Sequence, residues 1–439
     1  MSDRDPLQFP AGPRGRLLVV GGGIAGLSAA IEGAEAGFGV VLVERATYLG
    51  GRVAQLYQYF PKLCPPLCGL EINLRRLRAG RGLAWLTSTE VEQIERTRDG
   101  RHRVRLRQRP RFVTDRCTAC GACTDACPVE RPRPFDLGLG TAKAIALPHA
   151  AAFPARYAIE RDACEPGCAR CVSACPYGAV DLGMSERELE LEVAAVIWAT
   201  GWDPYDATAL ADLGYGAHPD VVTGLMLERL ASPQGPTGGR VVRPSDGRAP
   251  RRVAFVQCAG SRDAGHLEYC SGVCCLASAK QARYLRAAHP AAEITIHFID
   301  RRAAGNAERF LAATAADERL RFVPGKVARV DGSGASPVVE VEDVATGRLA
   351  ATPVDLVVLA TGMVPSQSDA PAFRQLSRDA HGFLTATQPD RIGAGQYVVG
   401  CARQPMDVAS AVRDATAAVA RALARAPRPA GAPAPRGAS

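Results

Sequence analysis

The chain has 439 residues, of which 47% are hydrophobic and 22% charged, and its formal net charge at pH 7 is +8. This composition is typical of a soluble globular protein of two or three domains, and it excludes a wholly disordered chain and a membrane-embedded one. The arginines are scattered, without basic runs interleaved with aromatic residues, so no nucleic-acid partner is predicted.

The N-terminus and the cysteines indicate a cellular compartment. MSDRDPLQFP has acidic residues where a secretory signal has a basic and then an apolar segment, so a cytoplasmic protein is expected. The longest nearly uncharged apolar run, 17–31, is too short to cross a bilayer, and no direct membrane span is expected. In a reducing cytoplasm, the 15 cysteines predict metal or redox sites rather than disulfides.

Residues 16–44 read as strand, glycine turn, helix and strand, which is a βαβ unit. Gly21, Gly23 and Gly26 have the G-x-G-x-x-G spacing that lets a backbone approach a pyrophosphate at a helix N-terminus. Glu44 ends the second strand, where its carboxylate can accept a hydrogen bond from a ribose hydroxyl. This context favours a dinucleotide site over a strand–helix turn without a ligand.

Further residues extend this site and favour FAD. Gly50-Gly51-Arg52 resembles the second fingerprint of FAD enzymes of the glutathione-reductase type, and the Thr200-Gly201 turn fits the same resemblance. Cys401 follows Gly400 where related flavoenzymes usually have an aspartate, so this thiol is expected to pack beside FAD. The predicted cofactor-binding residues are Gly21, Gly23, Ile24, Ala25, Gly26, Glu44, Arg45, Gly51, Arg52, Val91, Thr200, Gly201, Gly400 and Cys401.

Two cysteine runs follow, each closed by a proline. The first has the spacing of bacterial ferredoxins: Cys117, Cys120, Cys123 and Cys127. The second is one residue longer between its first two cysteines: Cys164, Cys168, Cys171 and Cys175. Because the fourth cysteine of such a run ligates the other run's cluster, we predict one [4Fe–4S] cluster on Cys117, Cys120, Cys123 and Cys175, and another on Cys164, Cys168, Cys171 and Cys127. Zinc is the alternative, but eight cysteines in this pattern favour iron–sulfur.

A third cysteine group begins at the end of the strand RVAFVQ, which lacks a second Gly-x-Gly-x-x-Gly and so predicts no seat for a nicotinamide dinucleotide. Four thiols within this region are predicted to hold a third [4Fe–4S] cluster, with packed free thiols as the alternative: Cys258, Cys270, Cys274 and Cys275. Cys64 and Cys68 are either a redox pair near the flavin or thiols packed in a rigid proline turn. No motif indicates an acid or base, and no catalytic side chain is predicted.

These patterns predict an α/β fold: a two-domain FAD/NAD(P)-type Rossmann flavoprotein, like glutathione and thioredoxin reductases, with an inserted 2[4Fe–4S] ferredoxin domain. Strand endings in ATG at 199–201 and 360–362 suggest two linked nucleotide-type domains. The predicted parts are the FAD domain, first part, 15–111; the ferredoxin insert, 112–182; the FAD domain return and connection, 183–249; a second Rossmann-like domain without a fingerprint, 250–352; the FAD domain, last part, 353–424; and a disordered tail, 425–439.

Several longer stretches accompany these motifs, among them GGRVAQLYQYFPKLCPPLCGLEINLRR, VIWATGWDPYDA, ASPQGPTGG, QCAGSRD and YCSGVCC. With the glycine fingerprint and the ferredoxin insert, they resemble the A subunit of heterodisulfide reductase from about residue 16 to 422. Within that family, FPKLCPPLCGLEI and CAGSRDAGHLEYC look most like the A subunits of quinone-interacting membrane-bound oxidoreductase complexes. By this resemblance, the third cysteine group matches cluster-binding cysteines of the family.

The resemblance implies an FAD and iron–sulfur electron-transfer subunit that works with two partners in one complex, a second flavin/iron–sulfur subunit plus a haem-bearing membrane subunit. The resemblance further implies that the chain is cytoplasmic and peripherally membrane-associated through the haem-bearing subunit. Such a complex links the quinone pool to adenylylsulfate reductase in dissimilatory sulfur metabolism. One alternative is a protein that acts with other heterodisulfide reductase subunits. Another is an NAD(P)H-dependent oxidoreductase resembling the small subunit of glutamate synthase, against which the missing second fingerprint weighs. A third is a non-catalytic assembly subunit.

Overall fold

Two parallel sheets and a cysteine-rich insert form the structure, which is a computed structural model describing residues 9–342, 344, 346–385 and 395–426. The predicted disordered tail lies, from residue 427, outside the described residues. The elements up to residue 108 are β1 (Arg16–Val20), α1 (Ile24–Glu35), β2 (Gly39–Val43), α2 (Pro66–Ala79), β3 (Leu83–Leu86), β4 (Thr89–Arg96) and β5 (His102–Gln108).

The later elements follow in three groups. In the insert they are α3 (Ala122–Asp125), β6 (Glu130–Pro132), β7 (Thr141–Lys143), β8 (Ile145–Ala146), β9 (Ala158–Ile159) and α4 (Arg170–Ala174). Next come β10 (Arg187–Val193), β11 (Ala195–Trp198), β12 (Trp202–Pro204), β13 (Val221–Thr223), α5 (Gly224–Ala231), β14 (Arg252–Ala259), α6 (Cys274–Ala288), β15 (Glu293–Phe298) and α7 (Ala307–Ala315). The last are β16 (Leu320–Pro324), β17 (Val327–Asp331), β18 (Val338–Glu342), β19 (Leu349–Pro353), β20 (Leu356–Thr361), β21 (Met363–Pro365), α8 (Pro371–Arg374), β22 (Gln396–Val398) and α9 (Val408–Arg425).

The first sheet is parallel, with the strand order β22-β11-β1-β2-β3. Its central strands are continuous apolar runs because both faces are covered. Leu17 and Val19 of β1 face a core built with α1, α2 and α9. Leu18, on the opposite face, packs against the antiparallel layer β10-β5-β4. The glycine turn thus follows the carboxyl end of β1, whose three central residues are buried.

The second sheet is also parallel, with the order β13-β20-β14-β15-β16. Helices α5 and α6 cover one face, and the antiparallel layer β17-β18-β19 covers the other. This arrangement differs from the predicted parts: β13 lies within 183–249, predicted as the return and connection of the FAD domain, and β20 lies within 353–424, predicted as its last part. The apolar run of β20 resembles that of β11, and such a run does not specify which sheet its strand joins.

The insert is attached to both sheets. Its small core surrounds the cysteine runs and includes Ile145 and Tyr157. Gln55, next to the first sheet, donates a hydrogen bond of 2.9 Å from Nε2 to the carbonyl oxygen of Phe135. Asp136 of the insert accepts one of 2.8 Å from Arg229 Nε in α5, and both of these side chains are buried. The insert thus has a fixed position beside the junction of the two sheets.

Candidate functional site

The glycine turn between β1 and α1 has the geometry of a phosphate-binding turn. A Cβ atom on Gly26 would lie 1.7 Å from the carbonyl oxygen of Gly21, and one on Gly21 would lie 2.3 Å from that of Ala199. Helix α1 begins at Ile24, and its N-cap Gly23 makes no side-chain capping bond. The first N–H groups of the helix, with their partial positive charge, are therefore available to an anionic group.

Glu44 lies beside this turn, at the end of β2. Its Oε2 accepts a hydrogen bond of 2.6 Å from the backbone N–H of Gly22, and its Oε1 accepts one of 2.8 Å from Ala46. Burial raises the pKa of this carboxyl, although the backbone donors at Ala46 and Gly22 oppose the rise. The carboxylate is held in one orientation at the mouth of the glycine turn.

A cavity of about 660 Å³ runs from the glycine turn to α6 of the second sheet. This volume is in the range of small-molecule and cofactor sites. Eleven of the predicted cofactor-binding residues line it: Gly21, Gly23, Ile24, Ala25, Glu44, Arg45, Gly51, Arg52, Thr200, Gly201 and Cys401. Val91 lines an adjacent cavity of about 60 Å³ that also borders Glu44. The cavity and the uncapped helix N-terminus fit a flavin dinucleotide.

The two remaining predicted residues support the cavity without lining it. Gly26 packs under the glycine turn, where a side chain has no space. Gly400 donates its backbone N–H to Asp414 Oδ2 at 2.8 Å and has a φ of 65°, in the left-handed region that favours glycine. Next to it, the buried Cys401 contacts the Met406 carbonyl at 3.5 Å, and burial raises the pKa of this thiol to about 11.

A buried ion pair at the far end of the cavity was not predicted. Lys280 Nζ in α6 lies 3.0 Å from Glu228 Oε1 in α5, and both residues line the cavity. Glu228 also accepts hydrogen bonds from Gln281 Nε2 at 2.7 Å and from the backbone N–H of Tyr57 at 2.9 Å. The only sequence signal is Lys280-Gln281 within the small and apolar residues of α6. The pair places a positively charged ammonium group against the cavity.

The first predicted cluster set is brought together in the insert. Its four thiols line one cavity: Cys117, Cys120, Cys123 and Cys175. Burial, followed by the neighbouring Cys117 and Cys175, raises the pKa of Cys123 to about 11. Mutual repulsion of thiolates disfavours ionisation of free cysteines, and it is relieved when thiolates bind positive iron. Cys175, from the second run, thus lies in one cavity with the first three cysteines of the first run.

The second set is likewise close enough for its thiolates to interact. Burial raises the pKa of Cys164, which Cys127 and Cys168 raise further while Arg161 lowers it. Burial, followed by Cys164 and Cys168, raises the pKa of Cys171. The extra residue of this run is accommodated in a turn, where the Cys168 N–H donates to the carbonyl of Glu165 at 3.1 Å.

The third cysteine group also lines one cavity, with Cys258, Cys270, Cys274 and Cys275 in its wall. It lies where β14 leads into α6, the position at which a second dinucleotide fingerprint would occur in a Rossmann unit. Cys274 lines the 660 Å³ cavity as well. This side chain therefore stands between the predicted flavin site and the third cysteine group.

Within the described residues, no three His, Cys, Asp or Glu side chains surround a position for a single metal ion. That finding concerns single ions, because a four-iron cluster takes one thiolate on each iron. Cys64 and Cys68 are both exposed, and Cys64 lines the large cavity. None of the helices in the described ranges is long and apolar enough to cross a bilayer.

Two family descriptions match the chain. Residues 17–106 match the FAD dependent oxidoreductases, and residues 108–129 match a 4Fe-4S binding domain. In structure, the chain is similar to thioredoxin reductase from T. acidophilum, with a TM-score of 0.51 at 14% identity, over 93% of this chain and 97% of the other. The Lactococcus lactis enzyme gives 0.51 at 15% identity, over 93% and 98%. The predicted fold, a thioredoxin-reductase-like FAD Rossmann fold with a ferredoxin insert, is confirmed.

In sequence, the chain is similar to heterodisulfide reductase A subunits. It is 37% identical over 419 residues to the A subunit of the H(2):CoB-CoM heterodisulfide,ferredoxin reductase of Methanothermobacter marburgensis, covering 93% of this chain and 63% of that protein. It is 38% identical over 420 residues to an iron-sulfur A subunit of the CoB--CoM heterodisulfide reductase of Methanopyrus kandleri, covering 93% and 64%. The chain thus spans less than two thirds of these relatives. The predictions of an oxidoreductase with FAD and iron–sulfur centres are confirmed.

Proposed function

Because this chain is an FAD and iron–sulfur oxidoreductase similar to the A subunits of heterodisulfide reductase, we propose that it is an electron-transfer subunit with one FAD and three [4Fe–4S] clusters. The observation that carries the proposal is the position of Cys274, which lines both the flavin-sized cavity and the third cysteine cavity. One thiolate can then connect the two centres by a short path.

The cofactors supply the redox chemistry, since a bound flavin exchanges two electrons in one event while each cluster carries one. The chain's own residues would bind the flavin dinucleotide and orient it. The N–H groups at the start of α1 would hold the pyrophosphate, and Glu44, fixed by Gly22 and Ala46, would accept from a ribose hydroxyl. Lys280 would keep a positive charge at the inner end of the cavity, held there by Glu228.

The two ferredoxin-type clusters would be held by the insert, with the fourth cysteine of each run on the other run's cluster. The third would be held by Cys258, Cys270, Cys274 and Cys275. The clusters on the eight thiols of the insert and on the four beside the cavity would be the one-electron carriers that exchange electrons with the flavin. The ligands in all three sets are soft thiolates, which suit iron–sulfur clusters.

For partners, we infer further heterodisulfide reductase-type subunits, because the relatives with 37% and 38% identity are named as subunits of such enzymes. A second candidate is the quinone-interacting complex that connects to adenylylsulfate reductase, with its haem-bearing membrane subunit and its second flavin subunit. The stretches FPKLCPPLCGLEI and CAGSRDAGHLEYC favour it. Co-purification of the tagged chain from its native cells distinguishes the two by the subunits recovered.

The cofactor proposal is tested by the iron, sulfide and flavin content of anaerobically purified protein, with EPR during a stepwise redox titration. We expect about twelve irons per FAD, since three clusters carry four irons each. About eight irons would leave only the insert clusters and contradict the third site. Protein that retains iron but binds no FAD on reconstitution would contradict the assignment of the large cavity.

A further inference from the structure

Gln257 lies in the wall of the third cysteine cavity with both ends of its amide unpaired. The residue is 4% exposed, and among the described residues neither Oε1 nor Nε2 has a hydrogen-bond partner. Ser261, 2% exposed, has an unpaired Oγ in the same wall. Buried amides and hydroxyls are nearly always hydrogen-bonded, so a group that bonds to them belongs in this cavity.

A local irregularity of β14 brings the amide to the thiols. The strand pairs with β20 up to Val256 and again at Ala259, with a register shift between them, and Cys258 has a φ of 56°. In a regular strand, consecutive side chains point to opposite faces. Because of the bulge, Gln257 and Cys258 both line the cavity. The positive φ at Cys258 thus places the Gln257 amide and the Cys258 thiol in the same cavity wall.

The chemistry of the cavity decides which end of the amide is used. Thiolate and sulfide sulfurs carry negative charge and only accept hydrogen bonds, whereas a glutamine amide offers two N–H donors. The cavity wall also contains the charged pair Arg302 and Asp300, and Arg262 pairs with the same Asp300. Within the described cavity wall, the Gly272 N–H already donates to Cys270 Sγ at 3.3 Å, and Ser271 Oγ accepts from the Met363 N–H at 2.8 Å. Gln257 and Ser261 are neutral donors in the same wall whose side chains have no partner.

We propose that Gln257, with Ser261 beside it, donates a hydrogen bond to a sulfur of the cluster on Cys258, Cys270, Cys274 and Cys275 and so raises the reduction potential of that cluster. The inference rests on the proposed function. A reduced cluster carries one more negative charge than an oxidised one, and an N–H donor stabilises that charge. Gln257 is a positioning and tuning residue that would make the cluster beside the flavin cavity a better electron acceptor.

The test compares the parent with Gln257→Leu, which removes both donors, and Gln257→Glu, which keeps the side-chain length and adds negative charge. Val256→Ala is the matched control, because Val256 is the buried neighbour that packs into the apolar core below the sheet. For each anaerobically purified protein, iron and flavin are counted and the third cluster is titrated by EPR. We expect the iron content to be the same in all variants. In Gln257→Leu, the ratio of reduced to oxidised cluster at a fixed potential should be about tenfold lower, which corresponds to a reduction potential lowered by about 59 mV.

Gln257→Glu should lower that ratio further, and Val256→Ala should leave it unchanged. A parent with about eight irons overturns the third cluster itself. A parent with about twelve irons and equal potentials in all variants overturns the role of Gln257 while the cluster stands. A change of the cluster's potential in Val256→Ala as large as that in Gln257→Leu would show an effect of core packing, and it would also overturn the tuning role of Gln257. Loss of the cluster from both Gln257 variants would assign the residue to assembly, again overturning the tuning role.

Discussion

At the scale of single residues, Lys280 contributes both to the stability of the fold and to the wall of the large cavity, through its ion pair with Glu228. Both side chains are nearly excluded from water and are held by several donors and acceptors, since Lys280 Nζ also donates to the carbonyl of Gln58 and Glu228 accepts from Tyr57 and Gln281. A buried pair of this kind is costly to break, because removing one partner leaves the other charge without compensation.

Lys280→Met should therefore lower the free energy of unfolding by about 3 kcal/mol. Lys326→Met is the control, because Lys326 pairs with Asp263 at 2.7 Å but its side chain is 51% exposed, and a surface pair of this kind contributes at most about 1 kcal/mol. Urea titration of the two variants and the parent provides the comparison. Equal losses in both variants would show that burial of Lys280–Glu228 adds nothing to stability.

At the scale of elements, α3 and α4 bring cysteines of the two runs together, as the proposed exchange of fourth ligands requires. Cys123 in α3 lies in one cavity with Cys175, which directly follows α4. This arrangement predicts pairs of equivalent mutations. Cys175→Ser and Cys117→Ser should abolish the same EPR signal, while Cys127→Ser and Cys164→Ser should abolish the other. Measurement of iron content beside each spectrum confirms that only one cluster is affected. Loss of the same signal from Cys175→Ser and Cys164→Ser would contradict the exchange.

The insert also docks through a buried aromatic cluster. His149 stacks on Phe135 with ring centroids 4.3 Å apart, and the Arg229 guanidinium lies over the Phe135 ring, 4.7 Å from its centroid. Burial, followed by the charges of Arg229 and Arg133, lowers the pKa of His149 from 6.5 to about 4. This histidine is therefore neutral in the folded protein at pH values where it is charged in the unfolded chain.

The sign of the pH effect follows from that shift. The unfolded state binds the additional proton, so the stability due to neutral His149 is complete above pH 6.5 and is lost as the pH falls towards about 4. The loss is at most about 1.4 kcal/mol per pH unit. His149→Phe keeps an aromatic ring but cannot titrate, so urea titrations at about pH 7.5 and about pH 5, on either side of the unfolded pKa, should show a smaller loss than in the parent. An equal loss would exclude His149 as its source.

The sequence predicts the elements of this fold better than their association. The G-x-G-x-x-G turn and the two ferredoxin runs have fixed spacings, and the spacing itself specifies which atoms meet. Strand β20 could not be assigned to its sheet, because LVVLAT and AVIW of β11 are equally apolar. Lys280 escaped prediction because a lysine in a helix usually lies in water, and only the packing of α5 against α6 buries it.

At the scale of the whole molecule, the large cavity lies between the two sheets, and Cys274 of the third cysteine group lines it. The insert contacts α5, next to the cavity, through Asp136 and Arg229. The chain shares its fold with thioredoxin reductases at a TM-score of 0.51, and its second parallel sheet is a second nucleotide-type unit. That unit carries Cys258-Ala259-Gly260-Ser261-Arg262 across the end of β14 and the turn that follows it, instead of a glycine fingerprint. Thiols thus line the turn that would otherwise cradle a pyrophosphate.

This difference predicts the choice of reductant. NADH or NADPH should fail to bleach the flavin of the isolated protein, because the β14–α6 turn has neither the glycines nor the free space for a second dinucleotide. Dithionite, which needs no binding site, should bleach the same sample and serves as the control. Stopped-flow absorbance under anaerobic conditions measures both reactions. Bleaching by NADH within the turnover range of ordinary enzymes, about 1–1,000 per second, would contradict the prediction and favour a pyridine-nucleotide oxidoreductase. With no bleaching, electrons have to enter through the clusters or a partner protein.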